Sequence, residues 1–369
     1  MRPRVLFVGR TRYRLPLDAA LRRKFDTLAH EVDVRVLASA PAGAPTGDGT
    51  FTLVPPLRAR TLDGVAFHGL LPFRVAREIR RFRPTAIIVQ GAHEGALTIA
   101  GRALSRTRVP IVVDVHGDWR TATRLYGSPL RRGLNPVADR VARWAVRHAD
   151  AVRTVTAFTT ELVRAEGVEP AATFPAFMDL VPFLGEPAPL PDRPVALFVG
   201  VLELYKGIDV LASAWPKVAE RVPGAELRLV GRGPRADLAE QLARRPDVTW
   251  REQLSTEEVA RELDAATCLV LPSRGEGMGR VVVEALCRGR PVVGSDSGGI
   301  RDLVTDGHNG LLVRTGDATA LADALARMLA DPEPLAARAR PSVEPFLATP
   351  EEYAERVRAL AASLEAVPE

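Results

Sequence analysis

Five prolines fall within the 13 residues Pro182-Phe-Leu-Gly-Glu-Pro-Ala-Pro-Leu-Pro-Asp-Arg-Pro194, and neither a helix nor a central strand can run through such a stretch. It reads as a linker between domains. On both sides one rhythm repeats: short apolar runs alternate with amphipathic stretches, as in parallel sheets covered by helices. Before the prolines, strands are expected at Val5–Val8, Val32–Leu37, Ala86–Val89, Ile111–Val115 and Ala151–Val155, with a helix at Leu70–Phe82. After them, strands are expected at Val195–Val199, Glu226–Val230, Val248–Trp250, Cys268–Leu271, Val292–Gly294 and Gly310–Val313. Helices should fill Ile208–Glu220, Pro234–Arg244, Glu257–Asp264, Val281–Arg288 and Ala318–Ala330, and a last one should start at Pro350. The fold class is therefore α/β, with two doubly wound Rossmann-like domains at 1–185 and 195–345, a linker at 186–194 and a final helix within 346–369. A length of 369 residues, at about 150 per domain, agrees. Such sheets take ligands at the carboxyl ends of their strands, so a cleft between the two domains is the expected site.

The net charge of +5 hides two halves of opposite sign. Residues 1–185 carry 28 Lys and Arg against 16 Asp and Glu, whereas residues 186–369 carry 22 against 29. A basic half suggests contact with something anionic, although a solvated arginine-rich surface would give the same count. Nucleic acid is a poor partner: aromatics are 5% of the chain, and neither zinc-ligand spacing nor basic–aromatic interleaving occurs. The longest uncharged stretch, Val36–Gly47, has 12 residues against the roughly 18 of a membrane span. Met1–Gly9 has too short an apolar run for a signal peptide, so the expected location is cytoplasmic. Cys268 and Cys287 are expected as buried thiols. Of the 50 basic residues only Lys24, Lys206 and Lys217 are lysine, which makes Lys206 conspicuous.

The most informative stretch runs from Leu271 to Leu286. A strand ends, a loop crosses Gly275, Gly277 and Gly279, and a helix opens near Arg280. Free N–H groups and the helix dipole favour an anion there, and glycine lets a phosphate approach. Glu276 and Glu284, eight positions apart, flank this point, and a carboxylate can accept two hydrogen bonds from a vicinal diol. An ordinary strand-to-helix turn would use the same residues. A second element, Phe198–Gly207, ends a strand at Gly200 and presents Lys206 just before a helix, where its ammonium could meet a diphosphate. Val113-Asp-Val-His-Gly-Asp-Trp119 sets His116, with Asp114 and Asp118, at a strand end in the first half. There His116 could bond substrate hydroxyls or serve structure alone. Gly9 should close the first strand.

Gly231-Arg-Gly233-Pro-Arg-Ala236 fits the dinucleotide fingerprint and opens a different class, a nicotinamide-dependent oxidoreductase. Pro234 argues instead for a turn with proline at the start of the next helix, and no acidic residue ends a strand about 20 positions later. The sequence also lacks a D-x-D pair for a metal on a nucleotide diphosphate, a G-x-x-x-x-G-K-[ST] loop, a G-x-S-x-G elbow and a Cys/His zinc cluster. Metal dependence is not expected.

Three blocks of the second half, Phe198–Gly207, Leu227–Pro234 and above all Leu271–Val313, closely resemble glycosyltransferase family 4, whose members have the two-domain GT-B fold. The last block holds the family's E-x7-E pair as Glu276 and Glu284 and its Gly-Gly-Ile at 298–300. The resemblance implies a retaining, metal-independent transfer from a nucleotide-sugar donor, without a cofactor. In this pattern Glu284 binds the ribose and Glu276 the donor sugar. Lys206 meets the diphosphate, Gly200, Gly277, Met278 and Gly279 line it, and His116 approaches the sugar from the first domain. The last helix crosses back to that domain. Where the family often carries an arginine after the loop glycine, this chain has Val201, leaving Arg280 or Arg274 to compensate. Val201 is also what would speak for a non-catalytic nucleotide-sugar-binding relative. The acceptor is expected to be a glycan, lipid-linked or small molecule, with an anionic membrane face as a peripheral contact.

Overall fold

The computed structural model describes residues 2–57, 60–120 and 129–365. The chain forms two units, one of residues 1–177 with 348–369 and one of residues 178–347.

In the first unit the strands are β1 (Arg4–Arg12), β2 (Asp33–Ser39), β3 (Phe51–Val54), β4 (Ala86–Gln90), β5 (Ile111–Val115), β6 (Ala151–Thr154) and β7 (Ala172–Thr173). They lie parallel in the order β3-β2-β1-β4-β5-β6-β7. The helices are α1 (Ala19–Glu31), α2 (Arg60–Phe82), α3 (Ala92–Ser105), α4 (Pro129–His148) and α5 (Ala157–Arg164). Alternate residues of β1 serve two cores. Val5 and Phe7 pack with α1 residues Phe25 and Leu28, while Leu6 and Val8 pack with Phe67, Leu71, Val75 and Ile79 of α2 and with Ala142 and Val146 of α4.

Two expectations are corrected here. β1 does not close at Gly9; it continues to Arg12 through a register shift, so that Arg12 pairs with Ser39. Helix α2 starts ten residues before Leu70 and passes through Pro72, because Phe67 and Leu71 extend the buried stripe of Val75 and Ile79 at four-residue spacing. Packing of an apolar face outweighs the local cost of Gly64, Gly69 and Pro72.

The second unit repeats the pattern through β8 (Val195–Val199), α6 (Ile208–Arg221), β9 (Glu226–Val230), α7 (Ala236–Leu242), β10 (Val248–Arg251), α8 (Thr256–Asp264), β11 (Cys268–Leu271), α9 (Arg280–Cys287), β12 (Val292–Ser295), α10 (Ile300–Leu303), β13 (Gly310–Val313), α11 (Ala318–Ala330) and α12 (Glu333–Val343). Its parallel sheet runs β10-β9-β8-β11-β12-β13. Capping marks several helix starts as the sequence requires: Ser255 and Glu258 form a reciprocal capping box on α8, and Asp317 accepts from Thr319 and Ala320 at α11. The last helix, α13 (Pro350–Glu365), belongs to the first unit, where Tyr353, Val357 and Leu360 complete the core beside α1.

The proline-rich segment is fastened to the second unit. The buried guanidinium of Arg290 donates to the carbonyls of Ala188 at 2.8 Å and Pro189 at 3.0 Å, Arg340 donates to those of Leu184 and Gly185, and Phe183 is fully buried. Proline leaves carbonyls without neighbouring amides to pair them, and arginine forks supply the missing donors. Both cysteines are buried free thiols, and burial pushes Cys268 up to about 12 and Cys287 up to about 11.

Candidate functional site

In the second unit the strand order reverses between β8 and β11, the point at which doubly wound sheets open a crevice. The loops leaving these two strands touch: the Arg274 amide donates to the Tyr205 carbonyl at 2.6 Å. Lys206, last residue of the 3-10 turn Leu204–Lys206, forms an ion pair with Oε1 of Glu276, and the Ser273 hydroxyl donates to the same oxygen at 3.0 Å. Both charged side chains are nearly buried, and the Tyr205 ring centroid lies 5.3 Å from the ammonium. An ammonium carries three donors, more than Glu276 uses, so the pair can also take a ligand anion.

The loop holding Glu276 is shaped by its neighbours. The Gly299 amide donates to the Glu276 carbonyl at 2.8 Å, and a Cβ on Gly299 would stand 2.2 Å from the Gly277 carbonyl oxygen, so only glycine fits. Arg274 is a clamp. It grips Asp209 with two bonds of 2.7 Å and also donates to the Leu204 carbonyl, tying the loop after β11 to the one after β8. It is therefore no spare cation for a diphosphate, contrary to the expectation that it might replace the arginine missing at Val201. Val201 is exposed and Gly200, the residue after β8, donates its amide to the Val230 carbonyl at 2.9 Å.

Helix α9 begins at Arg280 after Gly279, with no side chain capping its first turn, so the amides following Gly277 and the buried Met278 form an uncapped N-terminus. Glu284 lies on this helix and is buried. Burial raises its pKa, opposed by the Arg280 guanidinium 3.6 Å away. Arg280 is itself exposed. The Gly231-x-Gly233 pattern has a packing explanation: a Cβ on Gly231 would lie 1.8 Å from the Gly200 carbonyl oxygen, and Trp250 Nε1 donates to the Gly231 carbonyl at 2.8 Å. These contacts account for the glycine without a dinucleotide.

In the first unit His116 directly follows β5, half-exposed. Its Nε2 donates to Oδ2 of Asp114 at 2.8 Å, and Arg153 Nη1 donates to the same oxygen at 2.7 Å. Asp114 and Arg153 are buried. Burial pushes the Asp114 pKa up, but the charges of Arg153 and His116 and their hydrogen bonds outweigh it and hold the carboxyl at about 2. An ionised Asp114 requires a proton on Nε2, which leaves Nδ1 as the ring nitrogen not committed to Asp114. Arg153 also donates to the carbonyls of Phe174 and Pro175, with its guanidinium carbon 3.8 Å from the Phe174 ring centroid. Asp118 is used locally, by Arg120.

The structure thus brings Lys206 and Glu276 together, sets Glu284 one helix turn into the same loop–helix junction, and places His116 at the strand ends of the other unit. Sequence reasoning missed Ser273 and Arg153. The signal for Arg153 was present, since a charge inside the apolar run Ala151–Val155 must find a partner if that run is a buried strand. Among the described residues no group of three or more His, Cys, Asp or Glu could hold a metal ion.

Two parallel sheets of the same doubly wound order, with the second carrying polar loops at its switch point, define a GT-B architecture. Sucrose-phosphate synthase from Thermosynechococcus elongatus has this fold, with a TM-score of 0.77 at 22% identity over 98% of this chain and 99% of that chain. A model of the glycosyl transferase 4-like domain matches residues 17–175 and one of glycosyl transferases group 1 matches residues 193–331. The chain belongs to glycosyltransferase family 4. Alpha-D-kanosaminyltransferase of Streptomyces kanamyceticus is 30% identical over 242 residues, 61% of this chain and 62% of that protein. D-inositol 3-phosphate glycosyltransferase of Xylanimonas cellulosilytica is 29% identical over 360 residues, 88% of this chain and 84% of that protein. The chain spans less than two thirds of the kanosaminyltransferase's length.

Proposed function

We propose that this protein transfers a sugar from a nucleotide-diphosphate sugar to a glycan, lipid-linked or small-molecule acceptor, with retention of anomeric configuration and without a metal. The observation that carries the reading is the Lys206–Glu276 pair at the switch point of the second sheet. Lys206 and the first-turn amides of α9 stabilise the diphosphate as it leaves, which is where charge develops in the transition state. Glu276 accepts from donor-sugar hydroxyls and Glu284 from the ribose diol. His116, with Nε2 committed to Asp114, offers Nδ1 to a sugar hydroxyl. The family membership and the transferase names of the relatives support the reaction class.

A thermal-shift screen over UDP-, GDP-, ADP- and dTDP-sugars identifies the donor, since a ligand that binds the native state raises its melting temperature. With that donor, Lys206→Ala and Glu276→Ala should each lower turnover by about 100-fold or more. Unchanged turnover in both would sink the site. The exposed Val201 favours one second reading, a binder without catalysis; slow hydrolysis of the donor by the purified protein rules against it. Product configuration read by NMR tests retention.

A further inference from the structure

Helices α2 and α4 pack their inner faces on the same side of the first sheet, and both flank α3. Their outer faces are unusual. On α2, Val65 is 70% exposed, Leu70 49% and Phe73 63%, and Arg77, Arg80 and Arg81 continue that face over the next two turns. On α4, Val137 is 56% exposed and Trp144 43%, with Val141 between them at helical spacing and Arg140 and Arg147 alongside. Arg77, Arg81 and Arg140 have no ion-pair partner among the described residues. Glu78, the acidic residue amid the α2 arginines, is buried and accepts from the Thr52 hydroxyl of β3 at 3.3 Å, on the inner side of the helix. Large apolar side chains grouped with unpaired arginines on one helical layer leave apolar surface in water beside positive charge that has no counter-charge, the combination that an anionic apolar boundary would match.

We propose that this layer docks on an anionic lipid bilayer. The apolar side chains enter the acyl boundary while the guanidinium groups meet the headgroups, an arrangement that amphipathic helices achieve lying in the interface plane. Charge selects this occupant over a second copy of the chain, because self-association would set arginine against arginine. The excess of 28 basic over 16 acidic residues in 1–185 acts in the same direction. The proposal deepens the reading of a lipid-linked acceptor, yet its test reads binding alone, so the two fail separately.

The full chain is mixed with vesicles of phosphatidylcholine containing phosphatidylglycerol, and with phosphatidylcholine alone, and sedimented. Binding is expected to the anionic vesicles and to fall as salt rises. Phe73→Ser with Trp144→Ser should weaken partition by about tenfold or more, and Arg77→Glu with Arg81→Glu should weaken it at low salt, with unchanged melting temperatures. Trp119 and Trp215 are buried and Trp250 is half-buried, so a blue shift of tryptophan emission on adding vesicles should vanish in Trp144→Phe. Equal binding to neutral vesicles, no binding, or a dimer in solution that the Phe73→Ser/Trp144→Ser variant dissolves would overturn the proposal.

Discussion

Asp114 is the residue on which the first unit's polar site turns. Its carboxylate is buried between a permanent cation and an imidazole, and each of its neighbours depends on its charge. Replacing Arg153 by methionine would leave that charge uncompensated, and urea denaturation should show a loss of about 3–5 kcal/mol. The pH dependence follows from a folded pKa of about 2 against an ordinary 3.8. The native state holds the proton less tightly than the unfolded chain, so stability on the order of 2 kcal/mol is present above pH 4 and is lost as pH falls towards 2. Asp114→Asn should lack that part of the acid slope in melting temperature against pH. Glu284 has the opposite sign. Burial raises its pKa, so the native state binds the proton more tightly and the ionised side chain weighs against folding at neutral pH. Glu284→Gln should therefore melt at a higher temperature than the wild type at pH 7 without ligand, while the stabilisation produced by the nucleotide sugar shrinks. A lower unliganded melting temperature would contradict this account.

At the scale of elements, strands were the most legible part of the chain. All six strands of the second sheet start at the expected residue: β8, β11, β12 and β13 are near-continuous buried runs, and β9 and β10 alternate polar and apolar residues, so neither pattern reads as a surface helix. The short β3 escaped notice: Phe51–Val54 has only two inward residues, and its pairing with β2 supplies what its own pattern does not. Helix α12 was hidden by Pro332 and Pro341. For the site, Lys206, Glu276 and Glu284 were marked by residue type and spacing, but the role of the Gly298–Gly299 pair came only from the loop it presses against. Gly299→Ala should push the 275–279 loop away from the Lys206 turn, at roughly 1–3 kcal/mol. Differential scanning fluorimetry checks this as a lower melting temperature together with a smaller shift from the donor.

At the scale of the whole molecule, the chain's end is structural to its beginning. Helix α13 supplies Tyr353, Val357 and Leu360 to the core beneath α1, and Tyr353 also stands 6.0 Å from Phe174, the ring under Arg153. Burial of three such side chains contributes roughly 1.5–3 kcal/mol each, on the scale of the whole stability of a domain. Deleting residues 348–369 should therefore unfold or aggregate the first unit, read as loss of its cooperative transition in calorimetry. The second unit ends at Leu347 and should keep its transition and its response to nucleotide.

By itself the sequence determined that there are two doubly wound units, where most of their strands lie and which loops carry the polar residues, since apolar periodicity and glycine-rich loop chemistry are local properties. Only tertiary structure decided which polar groups share a charge. Arg274 and Lys206 are both loop cations that the sequence offers to a diphosphate, yet Asp209, 65 positions before Arg274, claims the one, and Glu276, 70 positions after Lys206, orients the other towards the switch point. Which partner a buried charge finds depends on the order in which strands assemble into a sheet, and that order is written across the whole chain rather than in any stretch of it.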